Sequence, residues 1–336
     1  MMRILQVNQI NQVAYIYGDG LVQRGHDVEV YEPSLIGGRA PLPVKLALMP
    51  WRVLDMRRIV GKLNQKYFDI VHIHWASYGL PGMASRIPYI VHCHGDDVRF
   101  RLQHPLFRAM MKPVLRRAAA VLCITPDLLP VVRSVRPDAY FFPGPVDTDF
   151  YASSETDQLD KSRPWTVLLF ARLDPNKGPE VATKGIARFA WRHPEVRVQL
   201  LDWGSRRDYF KRLYSGRFDF VPRTPQKEAR RLILSADVIV GQFAGGALGL
   251  SELQAMSCAK PLICSSRYDE AYPAAPPLRR ASTPEEIDAH LENLYQRPEA
   301  GPALGLKSRE WVIENHNYKL LATKLEACYK SILASY

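Results

Sequence analysis

The chain has 336 residues, 47% hydrophobic and 24% charged, an ordinary globular composition long enough for two domains with separate cores. Its formal net charge of +11 and pI near 9.4 leave three partner classes to weigh: nucleic acid, anionic lipid and a phosphorylated substrate. Five cysteines scattered through apolar stretches exclude a disulfide framework or a Cys-x-x-Cys metal knuckle, the first residues turn polar too soon for a signal peptide, and no run approaches ~20 apolar residues, so a cytoplasmic protein is expected.

Short β-branched and apolar runs alternate with helical patterns from end to end, the signature of parallel sheet wound by crossover helices. In the first half, strands are predicted at Arg3 to Asn8, Asp27 to Glu32, Asp69 to His74, Tyr89 to His94 and Ala120 to Thr125. Between Arg39 and Lys62 the pattern is mixed, with a helix after Pro50. Leu102, Phe107, Met110, Met111, Val114, Leu115 and Ala118 recur at roughly helical spacing among Arg99, Arg101, Arg108, Lys112, Arg116 and Arg117, a basic amphipathic segment that Pro113 starts or kinks. Asp138 to Val146 reads as an extended crossing, and the polar, turn-prone stretch 152–162 as an interdomain linker. The second half repeats the theme, with strands at Trp165 to Ala171, Arg197 to Asp202, Phe218 to Pro222, Ala236 to Val240 and Lys260 to Cys264. The fold class expected is α/β with two Rossmann-like sheets, and Trp311 to Leu333 is a closing helical stretch that packs rather than dangles.

The strand from Trp165 delivers Arg172 and Lys177 at its carboxyl end, where open α/β sheets bind ligands. About eighty residues on, Gly245-Gly246-Ala247-Leu248-Gly249-Leu250-Ser251 opens a helix whose N-terminus can approach an anion closely. Together the two elements can hold a diphosphate. The plainer reading of the basic pair is two solvated cations in a surface loop.

Strand alternation puts His92 and His94 on one face, and His72 and His74 on one face of the likely neighbour. Four imidazoles there are open to a metal reading or to local hydrogen bonding. Asp97 is read as the cap of a following helix. The first strand-to-helix loop, Asn8-Gln9-Ile10-Asn11-Gln12-Val13-Ala14, carries amides that could bind sugar hydroxyls or simply form a turn.

Three strings, Ala171-Arg172-Leu173-Asp174-Pro175-Asn176-Lys177-Gly178, Ser235-Ala236-Asp237-Val238-Ile239-Val240 and Gln254-Ala255-Met256-Ser257-Cys258-Ala259-Lys260-Pro261-Leu262-Ile263, resemble the nucleotide-binding domain of retaining glycosyltransferases of group 1, the family-4-like enzymes of GT-B type. Val71-His72-Ile73-His74-Trp75, His94-Gly95-Asp96-Asp97-Val98 and Phe142-Pro143-Gly144-Pro145-Val146-Asp147 match that family's acceptor-side landmarks in order. The resemblance implies two Rossmann-like domains facing across a cleft: an acceptor-side domain at 1–150, a nucleotide-sugar domain at 151–310, and a helix at 311–336 packing back toward the first.

It further implies a nucleotide diphosphate sugar as donor, no other cofactor and no metal. Arg172 and Lys177 would neutralise the diphosphate, Gly249 and the amides of Leu250 and Ser251 would add to them, and Gln254 would reach the ribose. His94 would meet either a hydroxyl of the transferred sugar or the departing phosphate. The chain departs from the family at two positions that commonly hold glutamate, where it has Gly246 and Gln254; a subset with an Asp-Gln pair where this chain has Gly241-Gln242 also lacks the first. Glu252 lies on a different helical face from Gln254 and is a poor substitute for it.

For the acceptor, a sugar or lipid-linked hydroxyl is expected, in cell-envelope polysaccharide or glycolipid assembly if residues 99–117 lie against anionic lipid at the inner face of the membrane. The same stripe would equally serve a core-facing helix. Nucleic acid is not expected, because only Phe100 and Phe107 accompany the basic cluster. A second class of protein fits the two lost glutamates: a relative that keeps the fold and acts as a non-catalytic binding or partner subunit.

Overall fold

The computed structural model describes residues 1–33, 42–64, 67–153 and 162–336, so most of the stretch read as a linker and the start of the mixed segment near Arg39 lie outside the described residues. The chain divides into two compact units, Met1–Pro145 with Tyr318–Tyr336, and Val146–Asn317.

In the first unit the elements run β1 (Arg3–Val7), α1 (Val13–Val22), β2 (Asp27–Tyr31), α2 (Leu42–Ala47), α3 (Met49–Asn64), β3 (Ile70–His74), β4 (Tyr89–Cys93), α4 (Pro105–Arg117), β5 (Ala120–Cys123), α5 (Leu129–Arg133) and β6 (Tyr140–Phe141). The second holds β7 (Thr166–Leu169), α6 (Pro179–Arg192), β8 (Arg197–Leu201), α7 (Arg207–Leu213), β9 (Asp219–Val221), α8 (Gln226–Ser235), β10 (Val238–Val240), α9 (Leu250–Ser257), β11 (Leu262–Cys264), β12 (Arg279–Arg280), α10 (Pro284–Gln296) and α11 (Ala300–His316), and α12 (Tyr318–Ser335) rejoins the first.

Each unit contains one six-stranded sheet, ordered β2-β1-β3-β4-β5-β6 and β12-β11-β10-β7-β8-β9, with every pairing parallel. Both faces of a parallel sheet are covered by helices, and this is why β3 and β4 are buried at every residue. The strand order reverses at one place in each sheet, between β1 and β3 and between β7 and β10. At such a point the two following helices depart to opposite faces and leave a crevice at the carboxyl ends of the strands. The edge strands β6 and β12 have two residues each; β6 lies within the extended crossing expected at Asp138 to Val146, and β12 is a strand the sequence does not announce.

The helix α12 docks on α1 of its own unit, burying Leu321, Ala322, Leu325 and Tyr329. A β-carbon at Gly20 would lie 2.7 Å from the Ala322 methyl, so only glycine allows that approach. Arg24 and Lys330 pair with Glu326, and their hydrogen bonds hold its carboxyl down to about 2. No helix among the described residues is long and apolar enough to cross a membrane.

The basic segment 99–117 is largely accounted for by packing. Leu102, Met111, Val114 and Leu115 face the core. Arg99 is bound by Asp127 at 2.6 Å, and Arg108 and Arg116 bond Ser134 and the Val135 carbonyl. The helix begins with Pro105 in its first turn and runs through Pro113 rather than starting there.

Candidate functional site

The reversal point of the second sheet brings together the loop after β7 and the loop after β10. Between β7 and α6, Lys177 ends a short 3-10 turn and Gly178 stands at φ 67°, where a β-carbon would press on Phe243 and the Ala244 nitrogen at 3.1 Å. The lysine ammonium donates to Gln242 Oε1 at 2.7 Å, and the Phe243 amide donates to the Lys177 carbonyl at 2.9 Å. Gln242 is oriented in turn, because its Nε2 donates to the Ala247 carbonyl at 2.9 Å.

Behind it lies Glu252, buried at 3% exposure in the first turn of α9. One carboxylate oxygen accepts the Gln242 amide and the other the Gly249 amide, each at 3.0 Å, so a single side chain closes the loop from β10 to α9 on itself. The sequence assigns neither Glu252 nor Gln242 a part in holding the site. The signal was there: a glutamate at the third position of a helix that starts after glycine commonly returns to the capping amide.

Arg172, on the same β7–α6 loop, pairs with Asp174 at 3.1 Å and lies over the Trp203 ring, as does Arg223, at 5.6 Å and 4.6 Å to the ring centre. Asp174 also accepts the Ser205 amide at 2.8 Å. The candidate cations thus sit in one loop with different holders, a carboxylate for Arg172 and an amide for Lys177. Gly249, Leu250, Ser251 and Gln254 are all half-buried on the first turns of α9. The first amides of that helix, those of Leu250 and Ser251, have no acceptor within it and suit an anion.

Gly246, where the family carries glutamate, has φ 70°, and a β-carbon there would meet Arg267 Cγ at 3.0 Å. Left-handed backbone at that position favours glycine over glutamate.

His94 belongs to the other unit, at the carboxyl end of β4. Parallel pairing sets His74 opposite His92, and the imidazoles of His72, His74, His92 and His94 form one cluster. His74 Nδ1 lies 2.9 Å from His94 Nε2, His74 Nε2 lies 2.7 Å from Gln6 Oε1, and His72 Nδ1 lies 2.7 Å from the Tyr329 hydroxyl of α12. Burial pushes His92 down to about 3 and drives His72, His74 and His94 well below their usual range, helped by the neighbouring rings. The edge of His94 still reaches solvent.

Ligand atoms of His72, His74 and His92 lie within 4.8 Å of one another. A tetrahedral zinc would hold nitrogens about 3.3 Å apart with their lone pairs converging. The His72 and His92 planes are instead 7° from parallel at 5.3 Å, and both His74 nitrogens are already engaged. The stacked rings lie face to face rather than aiming lone pairs at one point, and the hydrogen bond between rings joins His74 to the tilted His94.

Asp97, read as a helix cap, does something else. One oxygen accepts the amides of His94 and Gly95 at 3.0 and 2.8 Å, and the other accepts the Ala76 amide at 3.0 Å. It clamps the ends of β3 and β4 together and fixes the backbone that carries His94, while burial pushes its carboxyl up to about 6.

The amide-rich loop after β1 is similarly committed. Asn8 Nδ2 donates to the His74 carbonyl at 2.8 Å and Gln9 Oε1 accepts the Gln12 amide at 3.0 Å. Asn8, Asn11 and Gln12 all have positive φ, as does Trp75 beside His74, and this strain marks the reversal point of the first sheet.

Two parallel-sheet units, one carrying a cation-bearing loop beside a helix N-terminus at its reversal point, define an α/β protein of Rossmann type. The Glycosyltransferase Family 4 model matches residues 10–150, and the Glycosyl transferases group 1 model matches residues 153–271. No curated protein matches the chain. Among solved structures it is similar to the sucrose-phosphate synthase (tll1590) of Thermosynechococcus elongatus, with 16% identity and a TM-score of 0.76 over 99% of this chain and 100% of that one. It is also similar to Anabaena Alr3699/HepE in complex with UDP and glucose, with 15% identity and a TM-score of 0.74 over 98% and 100%. The catalytic domain of starch synthase IV from Arabidopsis thaliana, bound to ADP and acarbose, matches at 12% identity and a TM-score of 0.71 over 99% of each chain. The chain belongs to the group 1 glycosyltransferases, and its fold is GT-B.

Proposed function

We propose that the protein transfers a hexosyl unit from a nucleotide diphosphate sugar to a hydroxyl acceptor with retention of configuration. The observation that carries the reading is the chain Glu252–Gln242–Lys177 at the reversal point of the second sheet, which ties the Lys177 ammonium to the loop that opens α9. Charge on a diphosphate grows as its glycosidic bond breaks, and a cation already in place stabilises that state without reorganising. Lys177 and Arg172 take the diphosphate, Leu250 and Ser251 add their amides, and Gln254 offers its amide oxygen to a ribose hydroxyl. On the resemblance, His94 meets either a hydroxyl of the transferred sugar or the departing phosphate. The similar HepE structure holds UDP and glucose, which makes UDP the first nucleotide to try.

A thermal-shift titration with UDP, GDP, ADP and their sugars tests the reading, since a ligand that binds only the folded state raises the melting temperature. Stabilisation by one of them, lost in Lys177→Ala, is expected. No response to any would favour the second reading, a non-catalytic partner subunit, for which the uncharged Gln254 and Gly246 are the supporting observation.

The acceptor in this proposal is lipid-linked, for assembly of envelope polysaccharide or glycolipid at the inner face of the membrane. Support comes less from residues 99–117, where Phe100, Leu106 and Met110 are exposed, than from α2 and α3, which present Leu46, Met49, Trp51, Val53 and Leu54 beside Arg57 and Arg58. Sedimentation with anionic but not zwitterionic vesicles, weakened by Trp51→Glu and by salt, is the expected result.

A further inference from the structure

The polar groups buried among β1, β3 and β4 form a hydrogen-bonded chain that ends on His94. Gln6 lies fully buried on the central strand β1, with Oε1 2.7 Å from His74 Nε2, and His74 Nδ1 lies 2.9 Å from His94 Nε2. Burial keeps both imidazoles neutral, so each carries one proton. An amide oxygen only accepts, and the His74 proton is therefore on Nε2. The bare His74 Nδ1 must then receive its hydrogen bond from His94 Nε2–H.

We infer that Gln6 and His74 are positioning residues that hold His94 in its Nε2–H form and leave Nδ1 as an acceptor for a sugar hydroxyl. The sugar in that statement rests on the glycosyl transfer proposed above, whereas the tautomer is a property of the free protein. A consequence separates the two roles open to His94. A phosphate oxygen needs a donor, and a bare Nδ1 has no proton to give; a hydroxyl can supply its own. His94 therefore contacts the transferred sugar and not the departing phosphate.

Gln6 Nε2 is buried with no hydrogen-bond partner among the described residues, so no bond of its own competes with the one Oε1 accepts from His74. The His92 ring, 5.0 Å from His94, is neutral, and the Tyr17 hydroxyl beneath the cluster donates to the Pro143 carbonyl at 2.6 Å. Asp97, the nearby carboxylate, is bonded to backbone amides.

The test is the ring-nitrogen NMR spectrum of the full chain labelled with 15N-histidine and free of ligand, with His94 assigned by its disappearance in His94→Gln. Expected in the unsubstituted protein is a protonated Nε2 and an unprotonated Nδ1. Gln6→Leu, which removes the acceptor from a buried apolar strand, should give a mixture of the two forms at His94. A proton found on His94 Nδ1 in the unsubstituted protein, the pattern a reversed Gln6 amide would impose, overturns the inference with no variant needed. An unchanged His94 in a folded Gln6→Leu protein overturns it too. Failure of nucleotide sugars to bind would instead strike the proposed transfer and leave the tautomer standing.

Discussion

The two sheets reverse their strand order in the same way, yet what stands at the two reversal points differs in kind. In the second unit the loop after β7 presents cations, Arg172 and Lys177, steadied by the Gln242 amide of the loop after β10 and by two carboxylates, Asp174 and Glu252. In the first, the loops after β1, β3 and β4 present amides and neutral imidazoles, clamped by one buried carboxylate. A crevice that meets a diphosphate needs fixed charge, and one that meets sugar hydroxyls needs directional partners without charge. The shared topology supplies the place, and residue chemistry divides the labour.

The largest effect that could break this contrast is expected from Lys177→Ala. Loss of an oriented cation from a diphosphate site costs on the order of 100-fold to 1,000-fold in turnover, while the melting temperature stays close to that of the parent, because the ammonium is half-exposed at a strand end. Near-normal turnover would remove Lys177 from the donor site. Glu252→Gln comes next. It keeps the shape of a buried side chain but sets an NH2 group against a backbone N–H, leaving an amide unsatisfied at a cost of about 1–3 kcal/mol. Urea unfolding should register that loss, and weaker nucleotide binding should accompany it as Gln242 loosens.

Asp97 sharpens the other side of the comparison. Burial raises its carboxyl from the ordinary range near 4 to about 6, so between those values the folded protein holds a proton that the unfolded chain has released. The contribution of this group to stability is therefore full below about pH 4, declines as pH rises to about 6, and is level above. The shift corresponds to roughly 2–3 kcal/mol across that window. Asp97→Asn should flatten this part of the stability profile measured by urea unfolding from pH 4 to pH 7, and an unaltered slope would mean that Asp97 does not titrate there.

Much of this was legible from residue order because strands and phosphate loops have local signatures. The run Ile4-Leu5-Gln6-Val7, the strand ending before Arg172 and the glycines before Leu250 announce themselves. What the sequence hid were contacts across long separations and choices between equivalent surfaces. The stripe on α4 looked equally fit for lipid or core, and only packing showed Met111, Val114 and Leu115 turned inward. Asp97 followed a strand as a cap would, but its partners include Ala76, which belongs to another strand's loop. Glu252 was measured against the ribose role of a lost glutamate, while its actual partners are the two ends of its own loop. Short edges such as Arg279–Arg280 have too little pattern to be seen.

The smallest effect tests whether the departures at Gly246 and Gln254 are equivalent, and the geometry says they are not. Gly246 has left-handed backbone, so Gly246→Glu should cost stability on the order of 1 kcal/mol before any gain in binding. Gln254 sits half-buried in regular helix, where a glutamate fits the same space. A carboxylate accepts a ribose hydroxyl more strongly than an amide oxygen does, by about 1 kcal/mol. Gln254→Glu should therefore tighten UDP binding severalfold by isothermal calorimetry with little change in melting temperature. If it leaves the nucleotide affinity unchanged, residue 254 does not meet the ribose, and the donor nucleotide lies elsewhere along α9.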